Sequence, residues 1–484
     1  MIINIRPIFL TVGILLTTLG VAMLLPTIAD LVVGNEDWEV FAFTGTITTL
    51  IGVGLYSGAQ GTRELLSTRE AFIMTSVAWL VLSLFGAIPY LLSGVVPTFT
   101  DAVFESMSAI TTTGSTVITG LDNAPPGILL WRGIQQWLGG LGIIVMAVAV
   151  LPMLQVGGMQ LFKVEAFDTA EKIMPRARQI SGSLTLVFIV ITLMCILAYL
   201  FAGMSFLDAT VHGMTTVATG GFSTKDASMG YFDGHLVDVI AIFFMILGSI
   251  PFILYVQAYQ GRPSKLWRNS QVKAFLTVLG FLTMVAWLMH PGPGPEGDPY
   301  LPIVQAAFNV TSIVTGTGYA NADYGTWAPG STTFFFCIMF IGGCAGSTSC
   351  GIKIFRFQVM FEAIKQHLSK IFYPNGIFVM RFNGNIIEDQ VASAVMNFFA
   401  VYFMIFGIIA ILLNLTGLDF LTAMSAAGTS ISNVGPGLGP LIGPSSTFQE
   451  LNDPAKWILT AAMLVGRLEL FTVLVIFMPR FWRA

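Results

Sequence analysis

Charged side chains are scarce in this chain. They make up 10% of the 484 residues, against 55% hydrophobic ones, where a soluble globular protein carries about 25%. Mean hydropathy is +0.80. That leaves too little polar surface to cover a soluble fold, so a soluble enzyme is excluded. The net charge is −4, the wrong sign for a nucleic-acid binder, whose affinity comes from neutralising phosphates. Disorder is excluded by 39 Phe and 9 Trp, which bury too much apolar area to stay unfolded. Cysteine and histidine occur four times each. Cys195, Cys337, Cys344 and Cys350 lie in apolar or Gly-rich stretches, so small buried residues are expected rather than a disulfide framework or a metal site. No Ser/His/Asp set, phosphate-loop lysine or metal-ligand cluster occurs, and no organic cofactor is expected. An integral membrane protein with short loops remains.

Apolar sequence, by contrast, comes in bilayer lengths. A spanning helix needs about 20 mostly apolar residues. Runs free of Asp, Glu, Lys and Arg fall at 7–29, 40–62, 71–100, 133–162, 179–207, 239–261, 274–289, 324–352, 390–418 and 457–466. The last resumes beyond Arg467 and Glu469 and ends at Met478. Ten spans are predicted, the seventh beginning nearer Ser270. The first run has no small-residue cleavage site and reads as a retained span. Runs 299–322 and 420–449 are set apart by Gly, Thr, Ser and Pro, which argue against one continuous helix. With a cytoplasmic N-terminus, 18 of the 22 Lys and Arg fall in inside segments, Arg63, Lys163 and Lys172 among them. Arg132, Lys225 and Lys456 fall outside, and Arg467 within the membrane. This bias puts both termini in the cytoplasm.

The outside connections from the third span onward are long, and four segments within them align without gaps. They are Phe104 to Ser115 (FESMSAITTTGS), Val211 to Phe222 (VHGMTTVATGGF), Phe308 to Tyr319 (FNVTSIVTGTGY) and Ser425 to Pro436 (SAAGTSISNVGP). One column is β-branched throughout: Ile110, Val217, Val314 and Ile431. Four residues later another is always glycine: Gly114, Gly221, Gly318 and Gly435. Between them stand Thr111, Thr112 and Thr113; Ala218, Thr219 and Gly220; Thr315, Gly316 and Thr317; and Ser432, Asn433 and Val434. The Gly-to-Gly spacings of 107, 97 and 117 residues make each repeat a span, a short re-entrant helix with its loop, and a second span. Irregular backbone at membrane depth is tolerated only where protein buries it or it lines a water-filled path. Backbone carbonyls can replace the water of a dehydrated cation. Glycine reaches the dihedrals that aim them at little steric cost, and each short helix would turn its negative C-terminal end toward the ion.

With TTTGS, ATGGF, TGTGY and SNVGP loops, two extra N-terminal spans and Arg467 in the final span, the chain closely resembles the TrkH family of the Trk/Ktr/HKT superfamily of potassium transporters, over essentially its whole length. The resemblance implies an all-α membrane protein: two N-terminal helices (1–65), then pore repeats at 66–175, 176–268, 269–385 and 386–484 around a central path. It implies potassium uptake across a bacterial inner membrane, with K+ held at the sixteen loop residues named above. It also implies a homodimer and a cytosolic regulatory subunit of the RCK type that binds NAD and ATP. Membrane lipid is the other expected partner. A less selective monovalent-cation route and a proton- or sodium-coupled symporter stay open. A secondary transporter of a small organic solute is the rival class; such proteins commonly carry inverted repeats, whereas these four share one orientation.

Three further features are intramembrane or close to it. Gly342, Gly343, Cys344, Ala345, Gly346, Ser347, Thr348 and Ser349 weaken any helix in the eighth span; the resemblance implies that this run gates the path. Arg467 stands where a charge costs about 2.5–3.5 kcal/mol on insertion scales, so it is expected to face the path and hold the run shut. Asp101, Glu105, Asp208, Asp233, Asp323 and Asp419 lie near the loops and predict an acidic, cation-attracting mouth, with Asp101, Asp208 and Asp419 capping the short helices. Residues 353–387 read as a basic linker containing an interfacial or partner-binding helix.

Overall fold

A computed structural model describes residues 4–61, 67–149, 173–232, 234–292 and 297–483. Arg63, Lys163, Lys172 and Asp233 lie outside the described residues. Seven helices among those described are long and apolar enough to cross a bilayer: Arg6–Val33, Trp38–Gly58, Thr68–Leu92, Pro126–Met146, Ile180–Phe201, Ser270–Met289 and Asp389–Leu415. The seventh expected span does begin at Ser270, because the Asn269 side chain accepts from the backbone N–H groups of Gln271 and Val272 and caps it there.

Two expected spans are bent pairs. His235–Gly248 and Phe252–Tyr259 meet at 87°, and Asp453–Arg467 and Phe471–Phe477 at 106°. The second bend corrects the reading of the final run as one helix through Arg467. Glu469 and Leu470 there have φ of +60° and +28°, incompatible with a right-handed helix. The eighth span is helical only over Ser331–Ile338, and helix resumes at Ile354–Phe372. The linker after it carries a two-stranded hairpin, Arg381–Phe382 with Asn385–Ile386.

Four short helices lie between spans: Phe99–Ile110, Phe206–Val217, Leu301–Thr315 and Phe420–Ser432. Asp419 caps the fourth by accepting from Thr422 N. Asp101 and Asp208 do not cap. Thr98 and Ser205 do, accepting from the N–H groups of Asp101 and Asp208 at 3.1 Å each. The carboxylates then sit in the first turn, where the helix dipole favours negative charge. Cys195, Cys344 and Cys350 are buried as expected, whereas Cys337 is exposed on Ser331–Ile338.

Candidate functional site

Every short helix ends the same way. A residue one or two positions past its end has positive φ: Thr112 (+52°) and Thr219 (+50°) two past, Gly316 (+75°) and Asn433 (+52°) one past. The next N–H reaches back to a carbonyl five residues earlier: Thr113 to Ser108, Gly220 to Thr215 and Thr317 to Ser312 at 2.8 Å, and Val434 to Thr429 at 3.0 Å. This is a left-handed helix cap with its longer return bond. Asn433 suits it because Asn is among the few residues that tolerate left-handed backbone. Two threonines hold the same conformation, a strain of about 1–3 kcal/mol each that persists only where the surroundings enforce it.

The column glycines close a ring. A Cβ on Gly114 would run into the carbonyl oxygen of Gly220, one on Gly221 into that of Thr317, and one on Gly318 into that of Val434. A Cβ on Gly435 would meet the carbonyl oxygen of Thr113 at 2.8 Å. Each loop thus lays the carbonyl before its own glycine against the glycine of a neighbour, in the order one, two, three, four, one. All four glycines also line one cavity of about 60 Å³. Side chains brace the ring from behind. Gln136 donates to Gly220 O at 2.6 Å and accepts from Phe222 N at 3.0 Å. Ser115 donates to Gly435 O at 2.7 Å. The Asn433 amide donates to Thr113 Oγ1 at 2.8 Å and to Met463 O at 2.9 Å. Within the loops, Thr111 and Thr113 share a hydroxyl bond of 2.8 Å, and Thr315 and Thr317 one of 2.7 Å. Ser432 is bonded to Tyr402 at 2.7 Å.

The irregular run of the eighth span lies against the helix ends of all four repeats. Thr348 Oγ1 donates to Val217 O at 3.0 Å, Ser349 Oγ to Thr315 O at 2.7 Å, and Gly351 N to Ser432 O at 2.9 Å. Cys350 Sγ lies 3.6 Å from Thr112 Oγ1. The run is tied sideways as well: Cys344 N donates to Ser249 O at 3.1 Å, Phe252 N to Gly346 O at 2.9 Å, and Ala345 N to the Gln271 side chain at 3.0 Å. Gly342 N and Gly343 N bond to Ile352 O and Ser349 Oγ, and Ser347 Oγ to Cys344 O.

Arg467, 4% exposed, donates from Nη1 to Thr348 O at 3.2 Å and to Cys350 Sγ at 2.7 Å. Its Nε and Nη2 have no partner among the described residues. A second cavity of about 30 Å³ is lined by Ser347, Ser349, Cys350, Asn433, Arg467 and Lys353, with room for about one water. Lys353 Nζ donates to Ser349 O. Glu469 does not pair with Arg467; its carboxylate accepts from Arg356, which stacks 3.8 Å over the ring of Phe398.

The structure pairs three of the six acids expected at the mouth. The three basic residues of the outside segments each neutralise one of the expected acids. Arg132 pairs with Glu105 at 2.9 Å, Lys456 with Asp101 at 2.6 Å, and Lys225 with Asp208 at 3.9 Å. Asp323 accepts from Gly325 N. Buried carboxylates at this depth need partners to stay ionised, and sequence proximity to the loops did not reveal those partners. Arg132 also donates to Ser223 O and Thr116 Oγ1, joining repeats one and two. Removing one member of a buried pair costs about 3–5 kcal/mol. Glu105→Ala should therefore lower the thermal midpoint of the detergent-purified protein sharply, and Glu105→Leu combined with Arg132→Met should recover most of it. A midpoint unchanged in Glu105→Ala would refute a structural role for the pair.

Sequence reading also missed Gly139, Gly248 and Gly466. A Cβ on each would strike the carbonyl oxygen of Ile110, Val217 or Ile431, three of the four β-branched column residues. The signal was available as a glycine roughly thirty residues after each column, obscured among 50 glycines. The third repeat replaces this contact with the irregular run.

This architecture can be compared with known proteins. The TrkH family model, described as cation transport protein, matches residues 38–290 and 301–484. The Trk system potassium uptake protein TrkI of Halomonas elongata is 41% identical over 483 residues, 99% of this chain and 97% of the relative. The Trk system potassium uptake protein TrkH of Escherichia coli K12 is 36% identical over 482 residues, 99% of each chain. The crystal structure of the potassium transporter TrkH from Vibrio parahaemolyticus superposes with a TM-score of 0.91 at 34% identity, covering 99% of this chain and all of that one. Matches of this extent in sequence and in fold establish that the chain belongs to the TrkH family of cation transport proteins.

Proposed function

We propose that this chain takes up potassium across the bacterial inner membrane, both termini being cytoplasmic, along the axis enclosed by the four glycine loops. The observation that carries the reading is the closed cycle of carbonyl-to-glycine contacts among loops from four repeats. It supplies backbone oxygens from four sides without fixed charge, which suits a monovalent cation stripped of water. Thr111 to Gly114, Ala218 to Gly221, Thr315 to Gly318 and Ser432 to Gly435 form the selectivity filter. The 342–349 run and Arg467 form the gate beneath it. The names of the relatives, potassium uptake proteins and a potassium transporter, support the same cargo.

The test is flux into proteoliposomes holding the purified chain, with potassium, rubidium, sodium and lithium offered in turn. Uptake of potassium and rubidium well above sodium and lithium is expected; equal uptake of all four would sink the selective reading in favour of a general monovalent-cation route. That alternative draws on Asn433, whose amide is committed to Thr113 and Met463 and makes the fourth loop chemically unlike the others. Uptake that stops when a proton or sodium gradient is removed would instead mark a symporter. By family resemblance the working unit is a homodimer controlled by an RCK-type subunit that binds NAD and ATP. The helix Ile354–Phe372, with Phe361 and Phe372 exposed by 73% and 77%, is the surface we assign to such partners.

A further inference from the structure

A cavity of about 540 Å³ opens between the end of the bent sixth span, the short helix Ser264–Arg268 and the Arg381–Ile386 hairpin. Three cations, Arg262, Lys265 and Arg268, line it, and no carboxylate does. None of the three has an ion-pair partner among the described residues. Their concentration in one concave place raises the local positive potential, and long side chains can converge on a single anion.

The surroundings identify the kind of anion. The cavity's apolar lining is Ile253 and Leu254, from the helix Phe252–Tyr259 that turns 87° from the span before it. Tyr259 and Trp267, exposed by 93% and 67%, stand among the cations in sequence. Exposed Tyr and Trp of a membrane protein settle at headgroup level, and this connection lies on the side that the basic-residue bias makes cytoplasmic. We propose that the cavity binds the phosphate of an anionic phospholipid headgroup from the inner leaflet, with its acyl chains running along the apolar wall. Asn269 and Asn385, which also line it, offer amides to the rest of the headgroup. The site lies apart from the proposed ion path and stands whether or not the filter reading holds.

The full chain in detergent, titrated with phosphatidylglycerol or phosphatidylcholine and read by native mass spectrometry, tests this. Wild type should retain phosphatidylglycerol in preference to phosphatidylcholine. A variant carrying Arg262→Gln, Lys265→Gln and Arg268→Gln should bind it at least about tenfold more weakly, since each such cation near an anionic lipid contributes roughly a fivefold gain. Arg480→Gln with Arg483→Gln, exposed basic residues that do not line this cavity, should leave retention unchanged. If the triple variant does not fold, the three single variants, each expected to be several-fold weaker, carry the test. Equal retention by wild type and the folded variants overturns the proposal. So does competition by soluble glycerol phosphate at concentrations comparable to the lipid, which would make the ligand a soluble phosphate ester.

Discussion

Gly221→Ser and Gly318→Ser should each reduce the preference for rubidium over sodium by about tenfold or more, with the protein still folded. Both glycines sit at positive φ, +76° and +81°, where an L side chain is strained by about 1–2 kcal/mol. The steric effect is larger than the strain. The new Cβ would fall well inside contact with the carbonyl oxygen of Thr317 or Val434, and backbone atoms cannot rotate away as a side-chain tip can. The neighbouring loop must shift, and with it the oxygens that would replace the ion's hydration shell. A change of about 1.4 kcal/mol in the difference between two ions is already tenfold. Gly54→Ser is the control, because nothing lies within 4 Å of a Cβ there. Flux ratios in proteoliposomes, normalised to monodisperse protein, provide the measurement. Unchanged selectivity in both variants would remove these glycines from the filter.

The second large effect is expected at Arg467. Its guanidinium donates to Thr348 O and Cys350 Sγ and lines the cavity beneath the loops. A unit charge 4–8 Å from a passing cation adds about 2–4 kcal/mol at an effective dielectric of 20, and each 1.36 kcal/mol of barrier is about tenfold in rate. Arg467→Ala should therefore raise potassium flux per folded molecule by at least about tenfold. It removes the repulsion and one of the ties that hold the irregular run. Arg467→Lys keeps the charge and its barrier but loses the fork of donors, so its flux should rise far less than that of Arg467→Ala. Pairing with Glu469 does not complicate the result, since that carboxylate is taken by Arg356. If Arg467→Ala lowers the thermal midpoint and leaves flux per folded molecule unchanged, the residue is a packing element and not a barrier.

Much of this architecture was legible in the chain because it depends on local chemistry. A run of about 20 apolar residues is long enough to cross a bilayer wherever it occurs. A Gly-, Ser- and Thr-rich run cannot sustain a helix, and a repeated glycine column marks a repeated backbone conformation. Those features follow from the residues within one or two helical turns. The weakness of the eighth span at 342–349 was evident for the same reason. So was the oddity of Arg467, since a charge in an apolar run needs no tertiary knowledge to be noticed.

The tertiary fold alone settled which groups meet. Asp101 and Lys456 are 355 residues apart and Arg356 and Glu469 are 113 apart, yet each pair is bonded. The first pairing neutralises one of the acids expected at the mouth, and the second turns Glu469 away from Arg467. The 106° bend after Arg467 likewise arises where Glu469 and Leu470 leave helical geometry, although hydropathy there reads as one continuous span. Hydropathy and composition report how readily a residue leaves water. They carry no record of the partner that makes leaving water tolerable, because that partner is brought close only by the packing of distant helices. The cyclic order of the loops is of the same kind. Each glycine column could be read from its own repeat, but the carbonyl that abuts it belongs to another repeat and is close only in the folded protein.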